Sequence, residues 1–278
     1  MTEPLIISVR TSASPSAAFA ALTDPQAVTT WLAEKADIDL PRSYAFWGPS
    51  IPEGDGPHQD LISATDSTLH FRWLLDGEQT STEIAVGVED AETRVTVTQS
   101  HFDFNDMITG ASIRGVLQSF WALSLANLVD YLDGRPLTTR GDFTTSDLTA
   151  EVDIDAPTAQ VYDSLISSRK VSEWFGYPVE IEPHIEGRFA MGGIDNNPHP
   201  AIIVDLVPER RVSVNWGPGG ISTWELADSD GKTRLTLVSS GFGQDNPPYA
   251  AWLGLLAGLA ELRRYHEIPD WEPITVAA

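Results

Sequence analysis

The stretch Ala13–Trp31, ASPSAAFAALTDPQAVTTW, recurs 143 residues later as Ala156–Trp174, APTAQVYDSLISSRKVSEW. Phe19 falls on Tyr162, Leu22 on Leu165, Val28 on Val171 and Trp31 on Trp174. The same offset sets Asp37-Ile38-Asp39 against Glu180-Ile181-Glu182, Phe46 against Phe189 and Trp73 against Trp216. Thr93–Val97 then matches Thr233–Leu237 at an offset of 140, and Trp121 and Leu128 match Trp252 and Leu259 at 131. Ordered matches separated by loop-sized drifts read as a unit of about 130 residues written twice in tandem.

Each copy carries the same signals. An alternating strand opens it, Leu5–Thr11 and Leu148–Ile154. Ser14-Pro15 and Asp24-Pro25 each pair an N-capping side chain with a Pro pre-set for the first helical turn, predicting two short helices. Period-two segments follow at 36–40, 44–47, 60–64, 69–74, 82–88 and 93–100, with counterparts at 179–182, 187–191, 201–207, 211–216, 222–227 and 233–239. The longest helix closes each copy, near Thr109–Leu132 and Pro248–His266. In the second of these Trp252, Leu255, Leu256 and Leu259 make one apolar stripe. The expectation is an α+β chain of two domains, each a curved antiparallel sheet of six or seven strands wrapped around a long C-terminal helix, with two short helices beside it. Gly134-Arg135-Pro136 marks the seam, so domain 1 spans 1–134, a polar linker 135–147, domain 2 148–267 and a tail 268–278, which packs Trp271 onto one repeat or between them.

Composition excludes several functions. The 278 residues are 42% hydrophobic with nine Trp and ten Phe, enough to build cores. Seventeen Lys+Arg against 40 Asp+Glu leave −23, which repels phosphate backbones and anionic membranes, so neither nucleic acid nor membrane is an expected partner. With no Cys, disulfides and thiolate chemistry are out. Met-Thr-Glu-Pro-Leu-Ile has no signal-peptide pattern and no segment reaches the length of a membrane span, which points to a cytoplasmic protein. Three lysines against fourteen arginines fit a GC-rich bacterial source or mild salt adaptation.

The order Ala13-Ser14-Pro15, Phe19, Leu22-Thr23-Asp24-Pro25, Trp31 resembles the helix-grip (START-like, SRPBCC) superfamily. In the second copy Asp155-Ala156-Pro157, Trp174-Phe175, Glu186-Gly187-Arg188-Phe189, Val207–Val212 and Gly231–Leu237 leading to Ser240-Gly241-Phe242 look similar to its branch named after the activator of the ninety-kilodalton heat-shock chaperone's ATPase. The resemblance implies tandem helix-grip domains, a cleft for a small hydrophobic molecule between sheet and last helix, and a stress-related context. It also brings two rivals: a polyketide aromatase/cyclase-like enzyme, and a protein partner of the chaperone. The first copy departs from the pattern, with Tyr44-Ala45-Phe46 in place of Gly-Arg-Phe and a Pro/Gly-dense loop from Trp47 to Pro57 that reads as a decorated hairpin rather than a lid.

No catalytic constellation stands out. Asp37/Asp39 and Glu180/Glu182 alternate with apolar neighbours and should face solvent. The six histidines, His58, His70, His101, His184, His199 and His266, lack metal-ligand spacing. There is no Gly-x-Ser-x-Gly elbow and no phosphate loop. No catalytic residue, metal or cofactor is therefore assigned, and an enzyme would need His184, Asp195 or His199 at the rim. The repeated aromatics are the informative set: Trp31, Trp73, Trp121, Trp174, Trp216, Trp252 and Phe189, with Asn127 as the polar position that would distinguish the two interiors, are the candidates for lining a ligand cleft.

Overall fold

The computed structural model describes residues 4–100 and 113–277 and has the expected α+β architecture. The chain divides into two compact units: Met1–Thr144 with Tyr249–Ala257 and Ile274–Ala278, and Thr145–Pro248 with Gly258–Pro273.

In the first unit β1 (Leu5–Thr11) buries Leu5, Ile7 and Val9 on one face by strict alternation. Helices α1 (Pro15–Thr23) and α2 (Pro25–Trp31) start where the Ser-Pro and Asp-Pro pairs predict. The Ser14 hydroxyl accepts from the Ala17 N–H at 3.2 Å, and the Asp24 carboxylate from the Ala27 N–H at 2.8 Å. Asp24→Ala is expected to lower stability by about 1 kcal/mol, read as an earlier urea midpoint with unchanged slope. An unchanged midpoint would show that the cap carries no weight.

Strands β2 (Lys35–Asp39) and β3 (Ser43–Trp47) pair only with each other. β4 (Gln59–Ala64), β5 (Thr68–Leu75), β6 (Glu78–Glu89) and β7 (Glu92–Gln99) form the meander that joins β1. The period-two pattern had placed all of these in one sheet. The break falls at the Pro/Gly-dense loop, where the Gln59 side chain takes over from the ladder and accepts the Phe46 N–H at 3.2 Å. Because β3 and β4 do not pair, that loop joins two sheets and is not the decorated hairpin expected; it is held down by the buried Ile51 and by the Ser50 hydroxyl, which donates to Glu34 at 3.0 Å. At the other edge β15 (Thr275–Ala277), from the tail, pairs antiparallel with Ile6–Ser8, giving the order β15-β1-β7-β6-β5-β4. α3 (Leu117–Leu132) follows a 3-10 turn at Ile113–Val116, and the predicted start from Thr109 lies outside the described residues.

The second unit repeats the order: β8 (Leu148–Ile154), α4 (Thr158–Ile166), α5 (Ser168–Phe175), then β9 (Val179–Ile181), β10 (Arg188–Met191), β11 (Ala201–Val207), β12 (Arg211–Asn215), β13 (Ile221–Ser229) and β14 (Lys232–Ser240), followed by α6 (Tyr249–Glu267), of which the part from Gly258 onward belongs to this unit. Here the sheet is continuous over seven strands, β8-β14-β13-β12-β11-β10-β9. The difference lies between β10 and β11, which pair at Arg188↔Ile202 and Phe189↔Ala201, and the Glu186 N–H and Gly187 carbonyl extend that contact to the Ile203 backbone at 2.8 Å each. Individual bonds recur as well. The Trp31 indole donates to the Ala21 carbonyl at 2.9 Å and Trp174 to Ser164 at 2.7 Å, tying the two short helices together in each unit. Thr93 donates to the Ala13 carbonyl at 2.6 Å, as Thr233 does to Ala156 at 2.7 Å.

After α6, Trp271 stacks edge-on against Tyr265 at 5.4 Å, and the Tyr265 hydroxyl donates to Glu173 at 2.9 Å. His266 beside them is half-buried, and desolvation together with Lys170 lowers its pKa to about 4. Because the folded imidazole resists protonation while the unfolded one titrates near 6.5, stability is greatest above pH 6.5 and falls as pH drops towards 4. After allowing for partial solvent access the loss should be about 1–2 kcal/mol. His266→Gln should flatten the pH profile of the melting temperature in that window, and an unchanged slope would exclude this origin.

Candidate functional site

The inner face of the first unit's sheet is a closed aromatic core. Phe46, Phe71, Trp73 and Trp121 are each 0% exposed. Trp73 meets Phe46 at 5.4 Å, Phe120 at 5.7 Å and Trp121 at 6.1 Å, all edge-to-face, the geometry the ring quadrupoles favour. Behind the rings Gln99 is fully engaged. Its carbonyl accepts from the Thr82 hydroxyl at 2.7 Å and the Trp121 indole at 3.3 Å, while its amide donates to Thr80 at 3.1 Å. The Tyr44 hydroxyl and Trp73 N–H are buried without partners among the described residues, and burial pushes the Tyr44 phenol up. Such orphaned donors cost stability, so packing holds this core together rather than polar satisfaction.

The second unit has the same face with smaller side chains. Val212, Val214, Leu226, Leu235 and Leu237 are buried on it. Val214 stands where the first unit has Phe71. Ser222 and Ser239, directly opposed across β13 and β14, stand where Thr82 and Gln99 oppose each other across β6 and β7. Gly220 replaces Thr80; its φ is +85°, and a Cβ there would lie 2.3 Å from the Ser240 carbonyl oxygen. The aromatic residues on this face are consequently uncovered. Phe189, Trp216 and Trp224 are only half-buried, and Met191, next along β10 on the same face, is 47% exposed. Phe189 and Trp216 pack edge-to-face at 5.4 Å, and the Trp216 indole donates to the Ser222 hydroxyl at 3.0 Å. The result is an open apolar patch with two buried hydroxyls on the same face.

The eight residues singled out by sequence therefore occupy different environments. Phe189 and Trp216 meet on the open apolar patch. Trp73 and Trp121 lie in the closed core, and Trp31 and Trp174 join the short helices. Trp252 is buried and falls within the first compact unit. Asn127 is buried with its amide clamped on the Thr138 backbone, donating at 3.0 Å and accepting at 2.9 Å. Met191, Ser222, Trp224 and Ser239 were not singled out. The signal that marks the two serines is comparative: aligned inner-face positions that are large in one copy and small in the other.

The remaining polar candidates are engaged elsewhere. Asp37 and Asp39 are exposed on β2. Glu182 accepts from Arg188 at 2.9 and 2.6 Å, and this pairing lowers its pKa to about 2. Glu180 accepts the Ile194 N–H at 2.8 Å. His184, Asp195 and His199 sit in exposed turns; His58 contacts Asp55 and His70 contacts Ser81, while His101 lies outside the described residues. Among the described residues no cluster of His, Asp and Glu could hold a metal, and no helix is long and apolar enough to cross a membrane. A cleft of about 380 Å³ on the opposite face of the seven-stranded sheet is lined by Arg210, Arg211, Arg234 and Glu225. Arg211 is committed to Asp205 at 2.6 Å, and Arg234 to Asp153 at 3.3 Å.

Residues 155–266 match the family model described as Activator of Hsp90 ATPase homolog 1-like protein. Among solved structures, the chain is similar to EF2215 from Enterococcus faecalis, a conserved protein of unknown function, at 23% identity over 46% of this chain and 75% of that one, with TM-score 0.40. It is similar to CalU16 from Micromonospora echinospora at 18% identity, over 44% and 76%, with TM-score 0.36. DynU16, from the dynemicin biosynthetic locus, aligns over 96% of this chain and all of its own at 16% identity and TM-score 0.40. No curated protein sequence matches significantly. The family match and the element order thus fall on the same part of the chain: residues 155–266 resemble the Activator of Hsp90 ATPase homolog 1-like family and carry the second unit's short helices and antiparallel sheet.

Proposed function

We propose that the protein is a binding protein for a small, uncharged apolar molecule, held on the inner face of the second unit against Phe189 and Trp216, and that the first unit is a copy whose equivalent face has been filled. The observation that carries this reading is the contrast at matched positions: Phe46 and Trp73 are fully buried, while Phe189 and Trp216 are half-buried on an otherwise apolar face. Adjacent half-buried aromatic residues on an apolar sheet face can line a groove of the kind that small molecules occupy. The recurring Trp–carbonyl and Thr–carbonyl bonds support a duplicated ancestral unit. A net charge of −23 disfavours anionic ligands.

The test restores the bulk of the first unit. Wild-type protein titrated with the neutral fluorophore N-phenyl-1-naphthylamine should show saturable enhancement and a raised melting temperature. The double variant Val214→Phe with Ser239→Gln should bind at least tenfold more weakly while melting at or above the wild-type temperature. Absence of saturable binding to the wild type, or equal binding by a folded double variant, would remove the reading. The second reading is a partner protein of a chaperone ATPase, favoured only by the family match over 155–266. Stimulation of such an ATPase by the pure chain would establish it.

A further inference from the structure

We infer that Ser222 and Ser239 form a polar seat in the groove, and that the ligand is a planar apolar molecule presenting a neutral carbonyl or carboxamide oxygen to their hydroxyls. This rests on the groove being the binding site. The two serines are 1% and 7% exposed, are opposed in register, and share the face of Trp216 and Trp224. Ser222 already accepts the Trp216 indole proton, so its own hydroxyl proton is left to donate. The Ser239 hydroxyl makes no hydrogen bond among the described residues.

The first unit indicates what completes this arrangement. There the equivalent pair is Thr82 and Gln99, and the Thr82 hydroxyl donates to the Gln99 carboxamide oxygen at 2.7 Å. A carboxamide oxygen supplied by the chain itself thus occupies the space in front of the β6 hydroxyl. In the second unit the side chain carrying that oxygen is shortened to serine, while the hydroxyl that would donate to it is kept at Ser222. Two buried hydroxyl donors facing an apolar groove are matched by an acceptor, and a site built to donate discriminates strongly against an analogue without one. Within two residues of Ser222 and Ser239 along β13 and β14 there is no Arg, Lys or His to neutralise a carboxylate.

The experiment compares 2-acetonaphthone with 2-isopropylnaphthalene, which replaces the ketone oxygen by a methyl group, by calorimetric titration of the full chain. Wild type should bind the ketone at least tenfold more tightly. Ser239→Ala, which breaks no protein hydrogen bond, and Ser222→Ala should each reduce that preference to threefold or less while leaving hydrocarbon binding within about twofold. If wild type binds ketone and hydrocarbon equally, the polar seat is overturned while the apolar groove stands. If the preference survives in both serine variants, the assignment to these hydroxyls is overturned. If neither compound binds and N-phenyl-1-naphthylamine also fails, the groove itself is not a site and the inference falls with it.

Discussion

Trp73→Ala is expected to destabilise the first unit by about 3–5 kcal/mol, the range for emptying a large aromatic site in a closed core. Trp73 has no exposed surface and touches Phe46, Phe120 and Trp121, whose positions fix one another, so the surroundings have little freedom to collapse into the void. Trp216→Ala, the matched change in the second unit, should cost less than about half as much, because Trp216 is half-buried and, among the described residues, Phe189 is its one ring neighbour. The functional effects should run in the opposite order: Trp216→Ala abolishes binding of N-phenyl-1-naphthylamine, while Trp73→Ala leaves it largely intact below the unfolding transition. Urea unfolding followed by circular dichroism and by amide exchange in each unit separates the two, because a two-unit chain need not unfold in one step. Equal destabilisation by both substitutions would mean that the second unit's aromatic pair is as tightly packed as the first's, and the groove would lose its physical basis.

Gly220→Ala is the second change with a large expected effect. A methyl group there would lie 2.3 Å from the Ser240 carbonyl oxygen, a backbone atom that cannot swing aside, and the backbone at φ +85° and ψ −157° is a region essentially confined to glycine, which adds about 1–3 kcal/mol of strain for any L side chain. Together these should exceed about 3 kcal/mol, a drop of roughly 6–12 °C in melting temperature for a protein of this size. Gly231→Ala is the control. Gly231 shares the positive φ, at +83°, but nothing lies within 4 Å of its would-be Cβ, so only the strain should appear. If the two variants melted together, the carbonyl contact would not be what requires glycine at 220.

Most of the fold was legible because the signals that fix it are local. Ser14-Pro15 and Asp24-Pro25 combine a side-chain acceptor with a pre-set φ, and both helices begin at those prolines. Alternation placed β1 and β8 to the residue, since a strand with one buried face admits one register. What local signals could not settle was whether neighbouring strands pair. β2 and β3 alternate as a sheet strand should, yet the long connection to Gln59 lets them stand as their own hairpin. The candidate site was legible by halves. Repetition picked out Trp216 and Phe189, but repetition selects what both units keep, and most of what both keep serves packing: Trp31 and Trp174 hold helix pairs, and Trp73 fills a core. The groove arises instead where the copies diverge, at Phe71 and Val214, Thr82 and Ser222, Gln99 and Ser239. Recognising those as partners requires the cross-strand register, which a linear offset that drifts between loops does not supply.

The pairing of Thr275–Ala277 with Ile6–Ser8 ties an order of events to the chain's topology. During synthesis β1 leaves the ribosome long before its outer neighbour is translated, so for most of elongation this border of the first sheet presents bare N–H and C=O groups. Such a border is a template for any extended segment, including the same strand of another nascent chain on the same message. β15 therefore acts as a late-arriving seal on that border, and replacing Thr275–Ala277 by a flexible Gly/Ser stretch would leave the border open to such templating.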